Sequence, residues 1–272
     1  FGEGKYPVGG KAGAVGYLVG APGKGLHCMF HMMNQARIGV GLGSVMLGYT
    51  GYLHALEYAR ERTQGRGMAE RDPNTPMIPL VQHADIRRLL LAQKAFVEGG
   101  LSLCLFSSTL VDEKKHSPDA AVREEAAGLL DLLTPIVKSW PSQFCLEANS
   151  LAIQVHGGYG YTREYPVEQF YRDNRLNPIH EGTHGIQGQD LLGRKVSMAG
   201  GRFYQSLLTR IRATLAECGS VAELKANAEL LSTALNTVEG ITDALQAMKK
   251  SDPDRALANA YLYMECFGHL VV

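Results

Sequence analysis

Apolar residues recur every three or four positions through most of the chain, a spacing that predicts long helices. From Met29 to Arg62 the shared face carries Phe30, Met33, Arg37, Val40, Ser44, Leu47, Gly51 and Leu56, a helix of over thirty residues. Gly39, Gly43, Gly48 and Gly51 lower its propensity but let another backbone or a ligand come close. After the polar break TQGRGMAERDPNTPMIP, a second helix is predicted from about His83 to Lys115. A third starts after Ser117-Pro118-Asp119 and carries Leu129, Leu130, Leu133 and Val137; Pro135 should kink it and Pro141 should help end it. A fourth runs from about Gln143 to His156 and stops at Gly157-Gly158.

Four amphipathic helices joined by polar breaks predict a mainly α fold built on an antiparallel four-helix bundle. Beyond a loop-rich stretch (157–184), helix is expected from about Ile186 past Arg212, then over 221–250 and 254–270. Residues 1–26 differ: they are rich in Gly and Pro, with one strand-like run, Ala14–Val19, ending at Pro22-Gly23-Lys24-Gly25. One strand cannot make a sheet, so this stretch reads as the end of a β domain lying upstream. With no initiating Met, and an apolar run (Phe267–Val272) at its end, the chain reads as a piece of a longer protein.

Charge narrows the partners. Lys plus Arg and Asp plus Glu each total 27 in 272 residues, so no bulk field favours nucleic acid or an anionic membrane. No uninterrupted apolar run reaches the ~18–20 residues that span a bilayer. The five cysteines are scattered and form no C-x-x-C pair, a pattern suited to a reducing compartment.

Two motifs invite misreading. GVGLGS (Gly39–Ser44) resembles a nucleotide-binding glycine loop but lies inside a helical pattern, where close helix packing accounts for it. His180-Glu181-Gly182-Thr183-His184 fits the zinc-protease pattern H-E-x-x-H, yet Pro178, Gly182 and Gly185 oppose the regular helix that such a site needs. Between Gly185 and Ala216 there is no His or Glu to act as a third ligand, so no metal is expected. What remains is a carboxylate on a Gly-bounded turn near a loop of glycines and aromatics, Gln154–Tyr161, whose N–H groups can approach a phosphate or a flat ring.

The segment QVHGGYGYTREYPVEQFYRDNRLNPIHEGTHGIQGQDLLGRK (Gln154–Lys195) resembles the C-terminal signature of the acyl-CoA dehydrogenase family. MFHMMNQARIGVGLGSVMLGYTGYLHALEYARERTQGR (Met29–Arg66) is similar to that family's first C-terminal helix. The resemblance covers residues 1–195, and it is strongest to the longer, methylmercaptopropionyl-CoA dehydrogenase-like sub-group with its extra C-terminal helices. It implies three parts: 1–26, the end of a middle β domain; 27–199, the helical bundle domain; and 200–272, a helical extension.

The resemblance also implies chemistry. FAD would accept the β-hydrogen of an acyl-CoA thioester as hydride, and Glu181 would take the α-proton, giving a trans-2-enoyl-CoA. A carboxylate suits the role because a dry pocket beside flavin and thioester disfavours its charged form. The backbone N–H of Glu181 and a ribityl hydroxyl would bind the thioester oxygen. In members that carry the base on the first long helix it stands where this chain has Ala36, which supports Glu181.

By position, Arg62, Gln64, Gln154, Gly157, Gly158 and Thr183 match FAD contacts, and Arg37, His180 and Gly182 match the substrate or base region. Two departures stand out: the loop after Arg62 is one residue short, and His180 replaces a common Tyr. The implied partners are acyl-CoA, an electron-transfer flavoprotein and further copies of the chain in a homodimer or homotetramer, with a neighbouring subunit completing the flavin site. The implied compartment is the cytoplasm, or the mitochondrial matrix in a eukaryote. An acyl-CoA oxidase and a non-catalytic assembly module are the alternatives, and this piece alone is expected to be inactive.

Overall fold

Helix α3 (Ala120–His156) organises the molecule. The computed structural model describes residues 2–272, apart from the side chains of Phe30 and His31, so the Phe30 position of the helical pattern lies outside the described residues. The chain divides into two units, residues 1–35 and 36–272. In the first, an antiparallel bridge joins Val8 and Lys11, and the turn at Ala21–Lys24 leads into helix α1 (Gly25–Glu61). Ala14–Val19 forms no strand, since an extended segment without a pairing partner gains no ladder hydrogen bonds.

In the second unit, α2 (Ala84–His116) runs antiparallel to α3: its Phe96 packs against Trp140 and Phe144, and its Gly100 lies against Pro141 and Cys145. By length and composition α2 could cross a bilayer, but here it is a bundle helix with Leu89, Leu90, Val97, Leu103 and Leu110 buried. Helix α1 runs parallel to α3, and its small residues set the distance. A Cβ added at Gly41 would fall 2.0 Å from the Val137 carbonyl oxygen; at Gly48 it would fall 2.8 Å from Cys145 Cβ and at Gly51 2.6 Å from the Asn149 amide nitrogen. Gly39 and Gly43 face open space instead.

The two helices predicted on either side of Pro141 are one helix of 37 residues, with Pro135 and Pro141 both inside. An interior proline costs about 3 kcal/mol. Burial outweighs it: Leu129, Leu130, Leu132, Leu133, Ile136 and Val137 are almost wholly inaccessible, each worth roughly 1.5–3 kcal/mol. The Val137 carbonyl, deprived of its helical donor by Pro141, is the one that Gly41 approaches.

The remainder packs on this core. Helix α4 (Val167–Asn174) lies within the stretch expected to be loop, and α5 is His184–Gly193. The helix expected to run from Ile186 past Arg212 breaks, because Ala199, Gly200 and Gly201 all take left-handed φ before α6 (Arg202–Gly219) begins. Helices α7 (Lys225–Met248), α8 (Pro253–Leu257) and α9 (Ala260–Val271) follow. Helices α6 and α9 dock through close contacts: Phe203 of α6 on Gly128, and from α9 the Ala260 carbonyl on Gly188 and Gly268 on Trp140, whose indole N–H donates to His269. Gln246 of α7 and Lys249, the residue that follows this helix, donate to the Leu192 and Gly193 carbonyls at the end of α5.

Candidate active site

The turn that carries Glu181 is anchored before it begins. Asn174, at the end of α4, is fully buried and bonds Ser44 of α1 and Asn149 of α3. Asn149 in turn donates to the Leu47 carbonyl, and Asn177 to Asn174. The side-chain polar atoms of Ser44, Asn149 and Asn174 all have partners, which fixes the start of the turn against two helices.

Beyond it the backbone turns left-handed at two successive residues, Glu181 (φ 55°) and Gly182 (φ 92°). A non-glycine residue there is strained by roughly 1–3 kcal/mol. Both carbonyls of the turn are tied from the protein side. Gln187 of α5 donates to the Glu181 carbonyl (2.9 Å), and Lys138 of α3 donates to the Gly182 carbonyl (2.7 Å). Gly182 is needed for space as well, since a Cβ would fall 2.6 Å from the Gln187 amide nitrogen. Thr183 then caps α5 through its backbone, leaving its hydroxyl unused in capping. None of the described hydrogen bonds uses the N–H groups of Glu181, Gly182 or Thr183. The Glu181 side chain is exposed.

Charged groups gather beneath. Lys138 is completely buried, and that burial, helped by nearby Arg37 and opposed by Glu181, pulls its pKa down to about 8. Arg37 is mostly buried and lies 3.8 Å from Asp190, which also pairs with Arg194 at 2.7 Å. The Nε of Arg37 and Oε1 of Gln187 are buried without a partner. His184, the first residue of α5, is turned away and stacks on Tyr261 of α9. Burial, then Lys138 and Arg175, push its pKa down to about 4, so it is neutral near pH 7.

His180 and His184 do not share a helix: residues 180–182 form a bend, and α5 starts only at His184. The His180 ring faces the Leu176 carbonyl at 3.1 Å. Among the described residues no three His, Cys, Asp or Glu side chains converge as a metal-binding group.

A second site lies where α1 ends. Arg62, Gln64, Gly157 and Gly158 surround one cavity of about 410 Å³ with Tyr58, His156, Tyr159 and Thr162. The loop after α1 is pinned there, with Gln64 N–H donating to Ile78, Ile78 N–H to Gly65 and Leu80 N–H to Arg62. The Arg62 guanidinium lies over the Tyr159 ring, 5.7 Å from its centroid. His156, without an assigned role in the sequence, stacks on Tyr58 (4.4 Å) and hydrogen-bonds the Ala152 carbonyl. Gly157 takes φ 61°, and space is open at Gly158. Gln154 is exposed and does not line this cavity.

The structure thus groups Arg37 and residues 180–183 at one place, and Arg62, Gln64, Gly157 and Gly158 at another. Sequence reasoning missed Lys138 and Gln187. Lys138 did leave a signal, as the sole charge between Leu132 and Phe144 in an otherwise apolar or neutral stretch of α3.

The model for "Acyl-CoA dehydrogenase, C-terminal domain" matches residues 23–195, and that for "Acetyl-CoA dehydrogenase C-terminal like" matches residues 207–272. The 3-methylmercaptopropionyl-CoA dehydrogenase of Ruegeria pomeroyi is 40% identical over 263 residues, 94% of this chain and 43% of that protein. The broad-specificity linear acyl-CoA dehydrogenase FadE5 of Mycobacterium tuberculosis is 35% identical over 237 residues, 85% of this chain and 38% of that one. The chain therefore spans less than half the length of these relatives. Among solved structures, Caenorhabditis elegans ACDH-11 in complex with C11-CoA has the same fold, with a TM-score of 0.76 at 19% identity over 93% of this chain and 41% of that one.

Proposed function

The chain belongs to the acyl-CoA dehydrogenase family, as its C-terminal helical part, and from that premise we propose that the protein containing it converts an acyl-CoA thioester into the trans-2-enoyl-CoA, with Glu181 as the base. The observation that carries this reading is the turn itself. Glu181 is held outward on strained backbone, both turn carbonyls are tied inward, and the adjoining N–H groups are left for a ligand.

The Glu181 carboxylate breaks the α C–H bond by taking the proton, and the electron pair left behind forms the new C=C bond as the β-hydrogen departs with its own pair. The N–H of Glu181 donates to the thioester oxygen, where charge builds as the α-proton leaves. Lying on one short turn, donor and base act on neighbouring atoms of the substrate.

The residues around the second cavity fit FAD by their chemistry. A guanidinium suits pyrophosphate oxygens, an aromatic ring suits a flat base, and two glycines let backbone come close. Arg62, Gln64, Gly157 and Gly158 would hold the adenosine-diphosphate part and Thr183 the flavin side; Gln154 would contribute only from the rim. When bound, FAD supplies the hydride acceptor. Because the cavity is open and Glu181 is exposed on this chain, residues 1–272 alone are expected to bind flavin weakly and to be inactive.

We assign residues 1–26 to the preceding β domain and 200–272 to a helical extension of the bundle. Electrons would pass on to an electron-transfer flavoprotein. Bacterial relatives and five free thiols support a cytoplasmic setting. The deciding test is Glu181→Gln in the complete protein. Flavin should stay bound while dehydrogenation and α-proton exchange with solvent stop; unchanged turnover overturns the assignment.

A further inference from the structure

We propose that Lys138 is a positioning residue for the α-proton transfer, holding the Glu181 turn in its working shape through the hydrogen bond to the Gly182 carbonyl. The inference rests on Glu181 being the base, and it adds a residue that acts through that base.

Three observations carry it. Lys138 is among the largest fully buried side chains of the described residues and stands with Leu132, Leu133, Ile136, Val137 and Trp140 in the most deeply buried stretch of α3. A buried cation is a costly choice there: its effective penalty is several kcal/mol, and an apolar residue of similar volume often leaves a fold equally or more stable. Stability alone therefore does not explain a lysine at this place.

Secondly, its ammonium group reaches across 44 residues of sequence to one acceptor, the carbonyl of the glycine that follows the base. That carbonyl fixes the Gly182–Thr183 peptide plane and so the direction of the Thr183 N–H on the opposite side. Thirdly, the turn cannot hold itself. Glu181 and Gly182 both lie at positive φ, and the neighbouring carbonyl is tied in parallel by Gln187, itself fully buried. Two donors from two helices over-determine a strained turn, the condition under which such strain persists.

The consequence is kinetic. With Lys138 in place, the turn that carries the Glu181 carboxylate and the Glu181 and Thr183 N–H groups is set before substrate arrives. Without it the turn can relax, and the base must be brought back in each cycle. A misplacement of about 1 Å from a supporting residue can cost on the order of 100-fold in rate.

The test compares Lys138→Met, Lys138→Gln and Glu181→Gln in the complete flavoprotein, reading kcat, KM, flavin content, melting temperature and exchange of the substrate α-proton into deuterated solvent. Met fills the space without a donor; Gln keeps polarity but is an atom too short to reach. Both should retain flavin and leave KM nearly unchanged, while kcat and α-proton exchange fall together by roughly 10–100-fold, as loss of one charge-assisted hydrogen bond implies.

Wild-type exchange in either folded variant, or a loss confined to KM, overturns the proposal. If Lys138→Met fails to fold, Lys138→Gln decides alone on the same reading. Glu181→Gln separates the two ideas: persisting exchange sinks the base assignment, whereas abolished exchange there with normal exchange in the Lys138 variants sinks only the role of Lys138.

Discussion

The Tyr261 ring lies parallel to that of His184, 5.4 Å between centroids and 9° between planes, and so ties the last helix of the chain to the first residue after the Glu181-Gly182-Thr183 turn. The contact is reinforced where Gly188 meets the Ala260 backbone and where Gln246 and Lys249 take up the end of α5. The C-terminal helices thus support α5 along its length, and α5 carries Gln187.

Tyr261→Ala should therefore destabilise this chain by about 2 kcal/mol, combining the lost ring contact with the space left behind. For a chain of this size that is roughly 4–8 °C in melting temperature. Tyr261→Phe keeps the stack and loses only the hydroxyl bond to Glu265, so its melt should stay close to wild type. Calorimetry of the three proteins checks this.

Acid should weaken the fold through its histidines. Burial lowers the pKa of His156, His184 and His269, and that of His184 falls to about 4. Between about pH 6.5 and 4 the unfolded chain then binds more protons at His184 than the folded one does, so stability is full above the unfolded pKa and falls as pH drops through this window. From pH 7 to pH 5 the loss from His184 is on the order of 1–2 kcal/mol. Urea midpoints followed by the fluorescence of Trp140, the single tryptophan, should fall over this range, and less steeply in His184→Asn.

Two kinds of glycine in α1 should respond oppositely to alanine. Gly41→Ala pushes a methyl group into the Val137 carbonyl, and Gly48→Ala into Cys145, each expected to cost about 1–3 kcal/mol. Gly39→Ala and Gly43→Ala meet no atom within 4 Å and should gain roughly 0.5–1 kcal/mol from helix propensity. Denaturant unfolding of the four variants distinguishes them.

Gln187→Leu frees the Glu181 carbonyl and removes a buried amide whose oxygen has no partner. In the complete protein the expected outcome is a fold at least as stable but a kcat lowered roughly tenfold or more. Melting and steady-state kinetics, run side by side, read the two effects.

The long helices were legible because burial repeats with the helical period over α1, α2 and α3. Pro141 misled because a local rule about proline yields to the contacts of a helix buried all round, and periodicity alone does not report how deep a helix lies. Ala199-Gly200-Gly201 breaks the helical path for the opposite reason, with local conformation winning where residues 197–202 are themselves exposed or only partly buried. At the proposed site, the turn of Glu181, Gly182 and Thr183 was legible because its residues are consecutive and glycine-bounded. Lys138 was not, since the turn and its donor are 44 residues apart and only folding brings them together.

With Glu181 as the proposed base, its left-handed backbone sets the proposed catalysis against robustness. On conformational grounds Gly or Asn is the better residue at φ 55°, so Glu181→Gly should raise the melting temperature while removing the proposed base. Any screen that ranks variants of this chain by thermal tolerance alone would discard its acid side chain early.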